Sequence, residues 1–140
     1  MDEITRDLVR RRADDHCEYC LLPQEASVLT FHVDHIVAKQ HLDTFVDEPP
    51  FLCLACNRCN AHKGTNLTSI DPETHEQVSL YHPRNDVWQD HFMLRGGEIV
   101  GITPTGRATA RLLQMNAPQR VELRTQWLAD GGSLRRRNDR

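Results

Sequence analysis

The order of apolar and polar residues divides the first half of the chain into four short elements. Apolar residues recur at helical spacing near the start, and two later runs are rich in β-branched or aromatic residues. The pattern predicts a helix from Ile4 to about His16 with Ile4, Leu8 and Val9 on its apolar side, a strand Val28–Val33 ending at Asp34-His35, a strand Phe51–Leu54, and a helix capped by Asn57 and ended by Gly64.

The second half continues the alternation of strands and helices. The pattern predicts a loop over 66–83 holding a strand around Gln77–Tyr81, a helical turn Asp86–Phe92 with Trp88 in the core, a strand Glu98–Ile102, a helix from Gly106, and a helix from Pro118 carrying Val121, Leu123 and Trp127. The fold class is therefore α+β. We expect one domain over 1–130 and a polar, disordered tail over 131–140.

Composition excludes some classes of protein and leaves others open. No apolar run is long enough to span a bilayer, and the charged start does not resemble a signal peptide, so we expect a cytoplasmic protein without membrane partners. The net charge of −3 does not indicate a nucleic-acid-binding protein. Of the 17 basic residues only Lys39 and Lys63 are lysine. Arginine forms paired contacts with phosphate, but composition alone favours solvated helix faces on which these arginines pair with neighbouring Asp and Glu.

Cysteine spacing is the strongest chemical signal in the sequence. Four of the five cysteines form two C-x-x-C pairs, Cys17/Cys20 and Cys56/Cys59. Two such pairs are typical of a closed, structural Zn²⁺ site. A rubredoxin-like iron site and four unliganded thiols are the alternatives, and His16 or His62 could replace one cysteine. Cys53 is predicted to be a small buried residue.

Three polar residues lie beside the predicted cysteine site. Asp34 and His35 end the first strand, and Asn60 directly follows the second cysteine pair. Histidine is suited to accept a proton from water near neutral pH, and the oxygens of Asp and Asn suit Mg²⁺. Lys63 and Arg84 are candidate contacts for a phosphate group. An ordinary polar strand end with an early-helix asparagine is the simpler interpretation, and the surrounding cysteine pairs argue against it.

These residues together resemble the HNH endonuclease family. The resemblance rests on Cys17-x-x-Cys20, Phe31-His32-Val33-Asp34-His35-Ile36, and Leu54-Ala55-Cys56-x-x-Cys59-Asn60-x-x-Lys63-Gly64. Segments from Asp71 to Thr109 resemble the C-terminal part of small stand-alone bacterial members, so the similarity covers about His16 to Arg124.

The resemblance implies a fold, a reaction and roles for individual residues. It implies a ββα-metal (His-Me finger) core over about 16–66 with a zinc knuckle, followed by a C-terminal extension over about 67–130. It implies DNA phosphodiester hydrolysis with His35 as general base and a catalytic Mg²⁺ or Mn²⁺ ion held by Asp34 and Asn60. The four paired cysteines would hold structural Zn²⁺.

One position departs from the family pattern. Phe51 stands where the family has the asparagine that supports the catalytic histidine, and phenylalanine cannot form that hydrogen bond. Another group, such as Asp47 or a backbone carbonyl, would then support the histidine in a slower nuclease. Alternatively the fold persists without catalysis, as a zinc-knuckle module that binds nucleic acid or protein.

Overall fold

The computed structural model describes residues 1–42 and 47–135. Five helices and three two-stranded antiparallel sheets are present in these two ranges, which confirms the α+β class. The helices are α1 (Glu3–Arg12), α2 (Asn57–Lys63), α3 (Trp88–His91), α4 (Pro104–Leu112) and α5 (Pro118–Ala129). The strands are β1 (His32–His35), β2 (Leu52–Ala55), β3 (Thr68–Ile70), β4 (Gln77–Ser79), β5 (Phe92–Arg95) and β6 (Glu98–Gly101).

Helix α1 is shorter than its sequence pattern predicted. Asp2 caps its first turn by accepting a hydrogen bond from the Thr5 amide, and the helix ends at Arg12 rather than near His16. Asp14 and Asp15 both have positive φ, which no α-helix accommodates. The predicted apolar side was also wrong in part, because Val9 is buried while Ile4 is 77% exposed.

Strands β1 and β2 form an antiparallel hairpin on which α2 packs. The register sets Asp34 opposite Cys53 and His35 opposite Leu52. The predicted first strand was too long at its start, since Val28 is fully exposed and pairing begins at His32.

The N-cap of helix α2 lies one residue earlier than predicted. Cys56, rather than Asn57, is the N-cap, and its Sγ accepts a hydrogen bond from the Cys59 amide. The predicted end is confirmed: Gly64 has φ +52°, a conformation in which glycine carries no Cβ penalty.

The C-terminal half adds two further hairpins and three helices. Strand β3 was predicted as loop, but it pairs with β4. The predicted helical turn through Phe92 ends at His91, because Phe92 begins β5 and pairs with Gly101 of β6. Helix α4 packs closely on this hairpin at Gly106, where a Cβ would lie 2.0 Å from the His91 carbonyl oxygen.

Helix α5 buries a polar face instead of the predicted apolar one. Leu123 is 40% exposed, whereas Arg120 and Arg124, one helical turn apart, are almost fully buried. The expectation that these arginines lie on solvated faces was therefore wrong. Trp88 and Phe92 do lie in the core as predicted, and the Trp88 indole donates to the Tyr19 carbonyl at 2.8 Å.

The chain beyond α5 packs against the domain at least as far as Leu134, which is buried. The Ser133 carbonyl accepts a hydrogen bond from the Trp127 indole. Of the disordered tail predicted over 131–140, residues 136–140 lie outside the described residues. In the described part of the chain, no helix combines the length and apolar character needed to cross a membrane.

Candidate functional site

The two cysteine pairs converge on one buried cluster. The Sγ atoms of Cys17, Cys20, Cys56 and Cys59 all lie within 4.8 Å of one another, and all four residues are buried. Cys20 Sγ and Cys56 Sγ are 3.7 Å apart. A tetrahedral Zn²⁺ with Zn–S bonds of 2.3 Å requires sulfurs about 3.8 Å apart. The donor set and its spacing therefore fit a structural Zn²⁺ site.

Local backbone geometry brings each pair of sulfurs together. In the first pair, the backbone amide of Cys17 donates a hydrogen bond to the Leu22 carbonyl, and Leu21 adopts a left-handed conformation (φ +63°) that closes the turn. The Cys20 amide points at Cys17 Sγ at 3.5 Å. In the second pair, the N-terminus of α2 directs the Cys59 amide to Cys56 Sγ at 3.4 Å. Amides aimed at sulfur favour the thiolate, the form that binds metal.

Glu18 fixes the first turn to the hairpin. Its backbone amide donates to the Leu54 carbonyl, and its buried carboxylate accepts from the Leu54 amide at 2.7 Å. The same carboxylate forms an ion pair with Arg84. The first cysteine turn is thus held against β2, the strand that leads directly into the second pair.

Helix α2 runs alongside β1, and the contacts at its two ends lie on either side of Asp34 and Asn60 in the sequence. At the start of the helix, the side-chain Nδ2 of Asn57 lies 3.1 Å from His32 Nε2. At its end, Lys63 Nζ donates to the Ile36 carbonyl at 2.7 Å. Asp34 shares the strand face of His32, because alternate residues point the same way. Asn60 lies one turn before Lys63, so it faces the middle of the strand.

Asp34 and Asn60 have unused bonding capacity. Both are half-buried, and within residues 1–42 and 47–135 neither side chain forms a hydrogen bond or ion pair with another residue. Half-buried polar groups are normally paired with protein, water or an ion. A carboxylate oxygen and an amide oxygen are both suitable ligands for a hard divalent cation.

His35 is held in a different direction. Consecutive strand residues point to opposite faces, so its ring leaves the face that carries Asp34. Its Nε2 lies 2.8 Å from Asp47 Oδ1. Partial burial acts to raise the pKa of Asp47, but the hydrogen bonds and charges of His35 and of the N-terminal amine of Met1, 3.4 Å from Asp47 Oδ2, together lower it. The carboxylate is therefore an acceptor, and Nε2 carries the proton.

The two candidate phosphate contacts are engaged inside the protein. Lys63 is buried and bonded to the Ile36 carbonyl, and burial lowers its pKa while nearby Cys53 and Asp34 oppose that shift. Arg84 pairs with the buried carboxylate of Glu18. Both cations thus stabilise the packing around the cysteine cluster.

Three other residues discussed in the sequence analysis take structural positions. Phe51 lies in a short helical turn before β2 and is 41% exposed; its backbone amide donates to the Glu48 carbonyl and its carbonyl accepts from the Ile36 amide. Cys53 is 1% exposed, as predicted, and burial raises the pKa of its thiol to about 12. His16 is bonded to the Asp14 and Ser133 carbonyls rather than to the cluster.

Arg120 is a neighbour of the cysteine cluster that the sequence did not reveal. Its Nη2 lies 2.8 Å from Cys20 Sγ, 2.9 Å from Cys56 Sγ and 3.1 Å from Cys59 Sγ. Only the spacing of Arg120 and Arg124 marks them as one helix face, and that spacing is also typical of solvent-exposed arginines.

Comparisons with protein-family models, with curated proteins and with solved structures found no match for this chain.

Proposed function

We propose that the chain is a metal-dependent endonuclease of the HNH type, which hydrolyses phosphodiester bonds in DNA. The observation that supports the proposal is the packing of α2 alongside β1, through the contacts of Asn57 with His32 and of Lys63 with Ile36, beside the four-cysteine cluster. From this packing we infer that Asp34 and Asn60 lie close enough to share one ion. In this proposal the β1–β2 hairpin and α2 form the ββα-metal core, and structural Zn²⁺ holds it together. The motif resemblance adds the reaction class.

Asp34 and Asn60 would hold the catalytic ion, Mg²⁺ or Mn²⁺. Such an ion supplies positive charge where negative charge develops on the phosphate and leaving oxygen. Their oxygen donors suit these cations, and neither side chain is bonded to another described residue. Mg²⁺ retains several waters, so two protein ligands are sufficient.

His35 is the proposed general base, and Asp47 is its positioning residue. Asp47 accepts a hydrogen bond from His35 Nε2, which fixes the orientation of the imidazole ring. The same hydrogen bond stabilises the imidazolium that forms when His35 takes a proton from the attacking water. Asp47 thus fills the supporting role that Phe51 cannot.

The proposal is tested by nicking of supercoiled plasmid with Mg²⁺ or Mn²⁺. Loss of a general base typically costs 10²–10⁴-fold, so His35→Ala, Asp34→Ala and Asn60→Ala should each lose activity by about that factor. His75→Asn is the matched control, because His75 lies in the β3–β4 turn with φ +64°, which asparagine tolerates. Equal activity of wild type and His35→Ala would contradict the proposal.

A noncatalytic zinc-stabilised module that binds nucleic acid or protein is the second candidate. The orientation of His35 away from the Asp34 face favours it, as do the internal contacts of Lys63 and Arg84. DNA binding that weakens steeply with salt, without cleavage under any divalent ion, would support this module over the nuclease.

A further inference from the structure

A buried guanidinium covers one side of the cysteine cluster. Arg120 is 2% exposed. Its Nη2 approaches three of the four sulfurs within 3.1 Å, and its Nη1 donates to the Leu113 carbonyl at 3.0 Å. The side chain therefore links α5 to both cysteine pairs and to the end of α4.

The sulfurs are the counter-charge of this arginine. Among residues 1–42 and 47–135, no carboxylate forms an ion pair with Arg120. A buried cation without an anionic partner is strongly unfavourable. The three sulfurs within 3.1 Å of Nη2 are the partners that the structure provides for this cation.

When Zn²⁺ is bound, the net charge of the four-thiolate site also favours its pairing with Arg120. Four thiolates around one Zn²⁺ carry a net charge of −2, and this dianion lies away from water. A cation that also donates hydrogen bonds to sulfur removes electron density from the thiolates. That change makes them less basic and less reactive towards electrophiles.

We propose that Arg120 is an outer-sphere ligand of the metal centre, which donates to the thiolates of Cys20, Cys56 and Cys59 and offsets their charge. It slows the release of Zn²⁺ and shields the sulfurs from oxidation and alkylation. The proposal concerns the metal centre alone, so it stands or falls independently of nuclease activity.

Arg124 provides a matched control on the same helix. It is 0% exposed and lies one turn from Arg120, but its guanidinium donates to the Gly97 and Met115 carbonyls and to Asn116, and none of these bonds reaches a sulfur. Arg124→Met therefore reports the cost of removing a buried arginine from α5 without touching the cluster.

The experiment measures two rates on zinc-loaded protein whose fold is checked by circular dichroism. One is the transfer of Zn²⁺ to excess EDTA, and the other is alkylation of the cysteines by N-ethylmaleimide. Outer-sphere partners typically change metal retention 10–100-fold, so Arg120→Met should accelerate both by about that factor. Arg120→Lys, which keeps the charge but loses the planar fork, should be intermediate. Arg124→Met should match the wild type.

Unchanged rates in Arg120→Met and Arg120→Lys would overturn the proposal, as would equal acceleration in Arg124→Met. If the Arg120 variants do not fold, the wild type decides the question. In protein loaded with ¹¹³Cd and labelled with ¹⁵N-arginine, a scalar coupling between ¹¹³Cd and an Arg120 guanidinium proton is expected through the N–H···S bond. Absence of that coupling at low temperature would refute the contact.

Discussion

At the scale of single residues, Asp47 is the group that supports His35, the proposed general base. Phe51 stands where the HNH motif that this chain resembles has an asparagine, and its exposed ring makes no polar contact. Asp47 lies against His35 Nε2 instead. Its role was one of two alternatives open from the sequence, because no spacing rule connects a loop carboxylate to a histidine twelve residues earlier.

This replacement predicts the outcome of a double-mutant cycle. Asp47→Asn should lower plasmid nicking about 10–100-fold, since an amide cannot match a carboxylate as acceptor for Nε2–H. Phe51→Asn alone should leave the rate unchanged while Asp47 is present. In the Asp47→Asn background, Phe51→Asn should restore part of the lost rate. A rise in activity from Phe51→Asn in the otherwise wild-type chain would mean that Asp47 does not support His35.

Sequence reasoning succeeded for residues with fixed local spacing and failed for residues defined by distant partners. The two C-x-x-C pairs predicted the sulfur cluster correctly, because each pair is closed by its own turn. Lys63 and Arg84 were candidate phosphate contacts, which stays a prediction. The partners that the structure gives them, a carbonyl 27 residues away and a carboxylate on the first cysteine turn, were not indicated by any local spacing. Such partners follow from tertiary packing.

At the scale of secondary-structure elements, one buried ion pair joins the β3–β4 hairpin to α4. The Asp71 carboxylate accepts from Arg107 Nε and Nη2, both at 2.9 Å, and also from the Glu73 amide and Thr74 hydroxyl. No local spacing in the sequence links Asp71 to Arg107, which lies 36 residues later. The hydrogen bonds from Arg107 hold the pKa of Asp71 well below its usual range.

The depressed pKa makes this connection sensitive to acid. The unfolded chain takes up a proton on Asp71 near the ordinary pKa of about 3.9, before the folded chain does. The stabilisation is therefore complete above that pH and is lost as the pH falls towards the folded-state pKa. Asp71→Asn should flatten the decline in urea midpoint between pH 5 and pH 3, whereas Asp7→Asn, at an exposed site in α1, should keep the wild-type slope. Parallel curves for wild type and Asp71→Asn would contradict this assignment.

The short elements also explain which boundaries the sequence could not supply. Strand β3 has only three residues, with two of them exposed, so its pattern carries no periodic signal. Helix α5 was predicted by length and by Pro118, but its orientation was not, because hydrophobicity ranks arginine as a surface residue. Arg120 and Arg124 are nevertheless buried, because their guanidinium groups donate to acceptors inside the protein.

At the scale of the whole molecule, the cysteine cluster connects parts of the chain that are distant in sequence. It joins the segment after α1 to the β2–α2 junction, and Arg120 adds α5. The three two-stranded sheets share no strand. We infer that cooperativity of folding depends on the metal centre.

Removal of zinc should therefore unfold the domain rather than loosen one turn. Because the site cannot form in the unfolded chain, zinc binding energy contributes directly to folding. EDTA at pH 7 should abolish the near-ultraviolet circular dichroism of Trp88 and Tyr19 in one transition, and Cys17→Ser should do the same. Cys53→Ala is the matched control, since Cys53 is buried outside the cluster, and it should keep one zinc per chain. A native-like spectrum after complete zinc removal would refute this dependence.

The position of Arg120 has a consequence for protein synthesis. The last sulfur is supplied at Cys59, and the guanidinium that neutralises it follows 61 residues later. On the ribosome, all four thiols emerge while α5 is still being translated, so the nascent metal centre passes through an interval in which it is exposed to cellular oxidants. A chain truncated before Arg120 would remain in that vulnerable form permanently.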